Sequence, residues 1–149
     1  MRKKIVFLLA FLCMLFMAGC SNGKETSKYN IEYLNKDKTG IAGMPYDASA
    51  ATTDALIEEF FAALSSDPDN VEYRKPIPND VEITNYSLDG ALLTIYFDAD
   101  YLNMKEVEEV LCRAAVVRTM TQISGNDCVS FYVDEKHLTD VNGKMVGTM

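Results

Sequence analysis

The sequence predicts an α+β fold, a two-layer sandwich with two helices on one face of a mixed β-sheet. Three patterns point to it. Apolar residues recur at helical spacing over residues 53–64 and 104–123. Two alternating runs flank Asp89-Gly90, a dipeptide favoured in two-residue hairpin turns. A further alternating run begins at Val129, just after the second helical stretch. The resulting order is β-β-α-β-β-α-β with a closing turn. It offers two amphipathic helices a single sheet face to cover.

The chain starts with Arg2, Lys3 and Lys4, runs apolar from Ile5 to Ala18, and closes that run with Gly19 and Cys20. A basic start, a short apolar middle and small residues at the cut make a secretory signal. The apolar run falls short of the about 20 residues a spanning helix needs. Residues 1–19 therefore read as a removable signal, 20–28 as a polar tether and 29–149 as one folded domain. Met17-Ala18-Gly19-Cys20 resembles the bacterial lipobox, with Met17 in place of the usual leucine. That resemblance implies diacylglycerol on the Cys20 sulfur and cleavage before Cys20. Two acyl chains anchor lastingly where one binds marginally, since each buried CH₂ contributes about 0.8 kcal/mol. An eight-residue tether spans at most about 26–29 Å, so the folded body stays near the bilayer.

Loss of the signal lowers the 14 basic residues to 11 against 22 acidic ones, a formal net charge of −11. Such a surface repels phosphate backbones and excludes nucleic acid as a partner. It is also repelled by anionic headgroups, which leaves attachment to the lipid. Cys13 departs with the signal and Cys20 carries the lipid, leaving Cys112 and Cys128. Cys112 falls mid-helix, about 16 Å of helix before the helix end. Cys128 begins the following strand. A disulfide needs Cα atoms within about 7 Å, so both read as free thiols.

Tyr29 to Leu34 alternates, with Tyr29, Ile31 and Tyr33 on one face, and residues 35–40 form a turn. Ile41 to Tyr46 is a weaker strand, interrupted by Gly43 and ending near Pro45. Thr52 or Thr53 caps the first helix, whose rows are Leu56, Phe60, Leu64 and Ile57, Phe61. Ser65-Ser66-Asp67-Pro68 stops it, and Pro76-Ile77-Pro78 stiffens the connector that follows. The hairpin arms are Val81–Leu88 and Ala91–Phe97. A change of parity between Ile83 and Tyr86 predicts a bulge. Asn103 with Glu106 makes a capping-box-like start for the second helix, and Leu102 with Val107 a hydrophobic staple. Val107, Val110, Leu111, Ala114, Val117 and Thr121 trace its expected inner stripe, Arg118 lies on the flank, and Gly125 is the expected C-terminal cap. Val129, Phe131 and Val133 face inward, and Asn142-Gly143 marks a last turn.

These landmarks are similar to the GerMN domain, a family named for a spore-germination and sporulation lipoprotein of endospore-forming bacteria. The residues that carry the resemblance are Tyr33-Leu34-Asn35 with Thr39-Gly40, then Ile77-Pro78, then Asp89-Gly90 with Phe97-Asp98. Thr119-Met120-Thr121-Gln122-Ile123, followed by Gly125 and Val129, resembles the family's Thr-Leu-Thr-Gln segment. Glu135 stands where the family usually has glycine. The resemblance spans residues 29 to 148 and implies assembly by domain-to-domain packing, without catalysis. Members often carry two such domains; this sequence shows one, as either a one-domain member or a fragment of a longer chain would.

The residue inventory agrees with a non-enzymatic reading. His137 is the sole histidine, beside Lys136 in a turn, and no Ser/His/Asp set can be assembled around it. Two unlinked thiols and His137 do not make a zinc set. Asp67-Pro68-Asp69-Asn70 lacks the glycine and distal glutamate of a calcium loop. No glycine-rich phosphate loop is present, and no cofactor is implied. If the helices cover one sheet face, Thr94, Tyr96, Ser130 and Tyr132 line the other. Tyrosine suits an interface because its ring buries area while its hydroxyl stays wet; packing of a tyrosine against the Ile41–Tyr46 segment fits the pattern equally well.

The expectation is an extracytoplasmic, lipid-anchored interaction or assembly domain acting in sporulation or germination. It would be held to the membrane through Cys20 and would meet an envelope protein or further copies of itself. The alternative is a lipoprotein that binds a cell-wall ligand. Convergence of Tyr96 and Tyr132 in a pocket favours that alternative; a flat face favours assembly.

Overall fold

A computed structural model describes residues 27–149; the signal, Cys20 and most of the tether lie outside the described residues. Strand β1 (Tyr29–Asn35) pairs antiparallel with β2 (Ile41–Tyr46). Their turn is held by Asn35, whose side-chain oxygen accepts from the N–H groups of Thr39 and Gly40 at 2.8 and 3.2 Å. β2 is continuous through Gly43 and Pro45, both of which were expected to weaken it. Gly43 is there for space. A Cβ at this position would stand 3.0 Å from the Glu32 carboxylate and 3.3 Å from Asn30 Cβ.

Helix α1 (Thr53–Leu64) starts and ends where its pattern placed it, and the hydroxyl of Thr52 accepts from Ala55 N–H. Both expected rows are buried. Phe60 meets Tyr29 and Tyr46 edge-on, and Phe61 meets Tyr86, so α1 joins the first strand pair to the hairpin. Within the connector, Tyr73–Arg74 forms a short strand, β3, opposite Leu34 and Asn35. Two residues carry no readable period, which is why the sequence did not announce it.

The hairpin is β4 (Ile83–Asp89) and β5 (Leu92–Phe97), with the expected bulge between Ile83 and Asn85. Asp89 pairs with Leu92, so the two loop residues are Gly90 and Ala91, one step later than the Asp-Gly pattern suggested. Gly90 has φ +59°, the left-handed value that the first position of this turn demands. A 3-10 turn (Ala99–Asn103) leads into helix α2 (Glu106–Met120), which crosses over to β6 (Cys128–Val133), parallel to β5. β7 (Lys136–His137) completes this second sheet. The Asn142-Gly143 turn brings Met149 back to bond both backbone groups of Val129.

The α+β sandwich stands, but its strands form two sheets, β2-β1-β3 and β4-β5-β6-β7, in place of one. The reason is on the stretch of β1 that short β3 leaves unpaired. Gln122 accepts from Asn30 N–H at 2.8 Å and donates to Asn30 C=O at 2.7 Å. The hydroxyl of Thr119 accepts from the buried Glu32 N–H at 3.1 Å. Side chains at the end of α2 thus take the bonds that a neighbouring strand would have taken. One hydrophobic core serves both sheets.

Helix α2 departs most from expectation. Its buried residues are Cys112, Ala115, Val116, Thr119 and Met120. The stripe expected to face inward lies on the opposite side, with Val107 62% and Val110 49% exposed and Leu111, Ala114, Val117 and Thr121 half-buried. At 100° per residue the two stripes are centred about half a turn apart, and both are largely apolar, so periodicity alone could not choose between them. The expected capping box and staple are absent. Lys105 holds the N-cap position without a side-chain bond, Asn103 donates to Asp100, and Leu102 and Val107 are both exposed. The helix ends at Thr121, and Gly125, at φ +87°, serves a turn four residues further on.

Candidate functional site

β5 and β6 run in register, with Thr94 beside Ser130 and Tyr96 beside Tyr132. Leu93, Ile95, Phe97, Val129, Phe131 and Val133 are buried in the core, so the other parity forms the outer face as expected. Thr94, Tyr96 and Tyr132 are half-buried there. Ser130 is only 5% exposed, which removes it from the surface a partner could touch. The two tyrosine rings lie 5.1 Å apart, tilted by 39°. His137, expected to be simply solvated, is exposed but tied down: its ring sits 4.1 Å from that of Tyr132 and its Nε2 shares a hydrogen bond with the Tyr132 hydroxyl.

This face is not flat at its end. Where β5 and β6 terminate, Tyr96 and Tyr132 line an open cleft of about 660 Å³ together with Asp98, Asp134 and Glu135. Thr84 and Asn85, at the bulge of β4, also line it. A crevice at the carboxyl ends of parallel strands is a common place for ligands in open sheets. Asp98 is fixed by Glu82, just before β4, since its carboxylate accepts from Glu82 N–H and its own N–H donates to Glu82 C=O. Asp134 N–H donates to Phe97 C=O at 3.2 Å, which sets Asp98 and Asp134 on adjacent strand ends, about 4.8 Å apart in backbone spacing. Asp134 and Glu135 form the tight β6–β7 turn with φ +46° and +62°. The turn closes with non-glycine residues at both positions, at a cost of about 1 kcal/mol or more per strained residue. Among the described residues, no salt bridge reaches Asp98, Asp134 or Glu135. Nor does any group of three or more His, Cys, Asp or Glu side chains there have a metal-holding arrangement.

Two other clusters are structural in their geometry. The buried Tyr101 hydroxyl donates to Glu109 at 3.0 Å, and Arg113 binds the same carboxylate with Nε and Nη2. The trio pins the 3-10 turn to α2. Burial raises the Tyr101 phenol far above its ordinary range, with Cys112 and Glu109 adding to it, so it stays protonated. Burial likewise pushes the Cys112 thiol up to about 12, with Glu109 adding to the effect. Cys112 and Cys128 are both free, as spacing implied. The second cluster joins Glu32 to Arg118 at 3.1 Å; Glu32 is buried across Gly43, and its second oxygen has no partner among the described residues. Outside the cleft, α2 presents Val107 and Val110 to solvent, with Leu102 exposed just before the helix.

Sequence reasoning found Tyr96 and Tyr132 by parity. It did not find Asp98, Glu135 or Asn85 as neighbours, because they meet only once β5 and β6 lie parallel. The predicted bulge and Phe97-Asp98 were the available signals. No helix among the described residues is long and apolar enough to cross a membrane.

Comparison with known proteins adds family and fold. A family profile described as Germane, sporulation and spore germination, matches residues 30–139. The first GerMN domain of the sporulation protein GerM from Bacillus subtilis is similar in structure, with a TM-score of 0.65 at 16% identity, over 80% of this chain and 92% of that one. The tandem GerMN domains of the same protein match with a TM-score of 0.58 at 19% identity, over 80% of this chain and 44% of theirs. A Clostridium perfringens protein described as a candidate lipoprotein matches with a TM-score of 0.56 at 16% identity, over 81% and 87% of the two chains. No curated protein sequence matches the chain.

Proposed function

The chain belongs to the Germane family of sporulation and spore germination, and from that premise we propose that it is a lipid-anchored, extracytoplasmic, non-catalytic interaction module. Lipid on Cys20 would hold it to the outer face of the cell membrane, and an envelope protein or another copy would dock on it. The lipobox-like Met17–Cys20 and the candidate lipoprotein among the structural neighbours support the anchor.

The observation that carries the docking reading is the second apolar stripe of α2. Water-exposed Val107 and Val110 are followed at helical spacing by half-buried Leu111 and Ala114, before Val117 packs back against the core. Scattered apolar residues on a surface are ordinary; a stripe at helical spacing has the form of a contact surface. A photo-crosslinking residue at Val110 in intact cells should yield an adduct with a protein partner, and Cys20→Ala should release the protein from the membrane fraction. The cleft gives the wall-ligand reading one specific observation, since Tyr96 and Tyr132 do converge there. Crosslinking that recovers only monomer, together with saturable binding of wall fragments, would place that reading first.

A further inference from the structure

The cleft at the ends of β5 and β6 is a second surface, distinct from the α2 stripe, and its chemistry is selective. Its floor includes two tyrosine rings held side by side by strand register, 5.1 Å between centroids. Its rim includes Asp98, Asp134 and Glu135. The three carboxylates come from two strand ends locked together by the Asp134 N–H to Phe97 C=O bond. Lys136 follows Glu135 directly, yet it is not among the residues lining the cleft and forms no salt bridge with these carboxylates. The concave space, the Tyr96 ring and carboxylates without a basic partner among the described residues coincide in one place, beside a Tyr132 ring that also packs on His137, 4.1 Å away.

We propose that this cleft binds the cationic side chain of a basic polypeptide segment, an ammonium or guanidinium group seated between the Tyr96–Tyr132 pair and the Asp98, Asp134 and Glu135 carboxylates. Each component is needed for a different reason. Tyrosine faces attract a cation through their quadrupole, more strongly when it is partly desolvated in a cleft. Carboxylates accept charge-assisted hydrogen bonds from its N–H groups. Together they favour a cation over an anion, and an acidic peptide would be repelled. A glycan would stack on the rings and donate hydroxyls to the carboxylates without neutralising their charge, which is the contrast the chitin oligomer tests. An open space of about 660 Å³ accommodates one or two long side chains entering from a chain that lies across the rim.

The inference deepens the interaction-module reading by naming the partner's chemistry, and it rests on the cleft and not on the membrane anchor. The test uses the full chain in neutral detergent, titrated by calorimetry and by amide NMR with pentalysine and pentaarginine. Penta-N-acetylchitopentaose and pentaglutamate are the comparison probes. Saturable 1:1 binding of the basic peptides is expected, with shifts centred on Tyr96, Asp98, Tyr132, Asp134 and Glu135. Because the whole protein is acidic, non-specific attraction must be separated from the site. Asp134→Asn with Glu135→Gln should weaken binding at least tenfold. Asp37→Asn with Asp127→Asn, which removes the same charge at exposed positions outside the cleft, should change it less than twofold. Tyr96→Leu with Tyr132→Leu leaves charge intact and should weaken binding at least threefold. Equal loss from the remote pair, indifference to the tyrosines, preference for the chitin oligomer, or no peptide binding would each overturn the proposal. None of these results alters membrane fractionation of the Cys20 variant, so failure here is separable from failure of the anchor.

Discussion

Replacing Thr119 by valine is the sharpest perturbation of this fold, because it changes one atom's chemistry and almost no volume. The Thr119 hydroxyl is the acceptor for Glu32 N–H, and Thr119 is fully buried. Valine leaves that donor without a partner in a place water does not reach, a cost of about 1–3 kcal/mol. For a domain of this size that is roughly 3–6 °C in Tm per kcal/mol. Thr121, two residues on, is the control. Its hydroxyl bonds only Val117 C=O in its own helix, at 2.8 Å, and such a back-bond contributes little. Thr121→Val should stay within about 0.5 kcal/mol of the parent. Gln122→Ala removes both bonds to Asn30, but those backbone groups are exposed and can turn to water, so about 0.5–1.5 kcal/mol is expected. Urea unfolding at constant m reads all three, and hydrogen exchange at Glu32 N–H should quicken selectively in Thr119→Val. Equal costs at 119 and 121, or an unchanged exchange rate at Glu32, would refute the account of α2 as a substitute edge strand.

Further outcomes follow from the same geometry. Gly43→Ala should destabilise by about 1–2 kcal/mol through collision with Glu32, and Glu32→Ala in the same chain should restore part of the loss, measured as a coupling in a double-mutant cycle. Glu59 accepts from Ser49 N–H, Ala50 N–H and the hydroxyls of Ser49 and Tyr46, and the Ser49 N–H bond first among these holds its carboxyl below the usual 4.5. A depressed folded pKa gives stability that is present above 4.5 and lost as pH falls through the folded value. The Tm gap between parent and Glu59→Gln should therefore be full at neutral pH and close in acid, as read by thermal melts across pH. Iodoacetamide at pH 8 should modify Cys128 before Cys112, whose thiol is buried and pushed up to about 12; mass spectrometry with and without denaturant checks the order. Glu135→Gly should stabilise the β6–β7 turn by about 0.5–1 kcal/mol in urea unfolding, since glycine adopts φ +62° without strain.

What could be read from the sequence was whatever local pattern decides. α1 has one apolar face and a stop signal, so its limits and buried rows were legible. The β4 bulge was legible because a parity change has no other simple cause. α2 was not, because it has two apolar faces, and the choice between them depends on which one β1 and β6 occupy. The separation into two sheets was hidden for a related reason. Thr119 and Gln122 could be matched to a family segment, but nothing local says that their side chains stand in for a strand. At the candidate site, alternation gave Tyr96 and Tyr132 directly. Ser130 lies on the same face by register but is covered, because alternation assigns a face and not its cover. The acidic rim needed the parallel pairing of β5 and β6, a long-range fact.

The two candidate surfaces are separate, and that has a consequence. α2 packs chiefly on β1, in the first sheet, and its outer stripe lies half a turn from its buried residues, whereas the tyrosine face belongs to β5 and β6 of the second sheet. Neither surface shares a residue with the other, so both can be occupied at once. A module with two independent contacts of different chemistry, one apolar and one acidic-aromatic, would bridge two unlike partner surfaces, one apolar and one basic. Salt separates them, since screening weakens the charged contact and spares the apolar one. Crosslinking through Val110 should therefore persist at an ionic strength that abolishes basic-peptide binding, and should be unchanged by Tyr96→Leu with Tyr132→Leu. Loss of the Val110 adduct in the tyrosine variant would mean that the two faces act as one site.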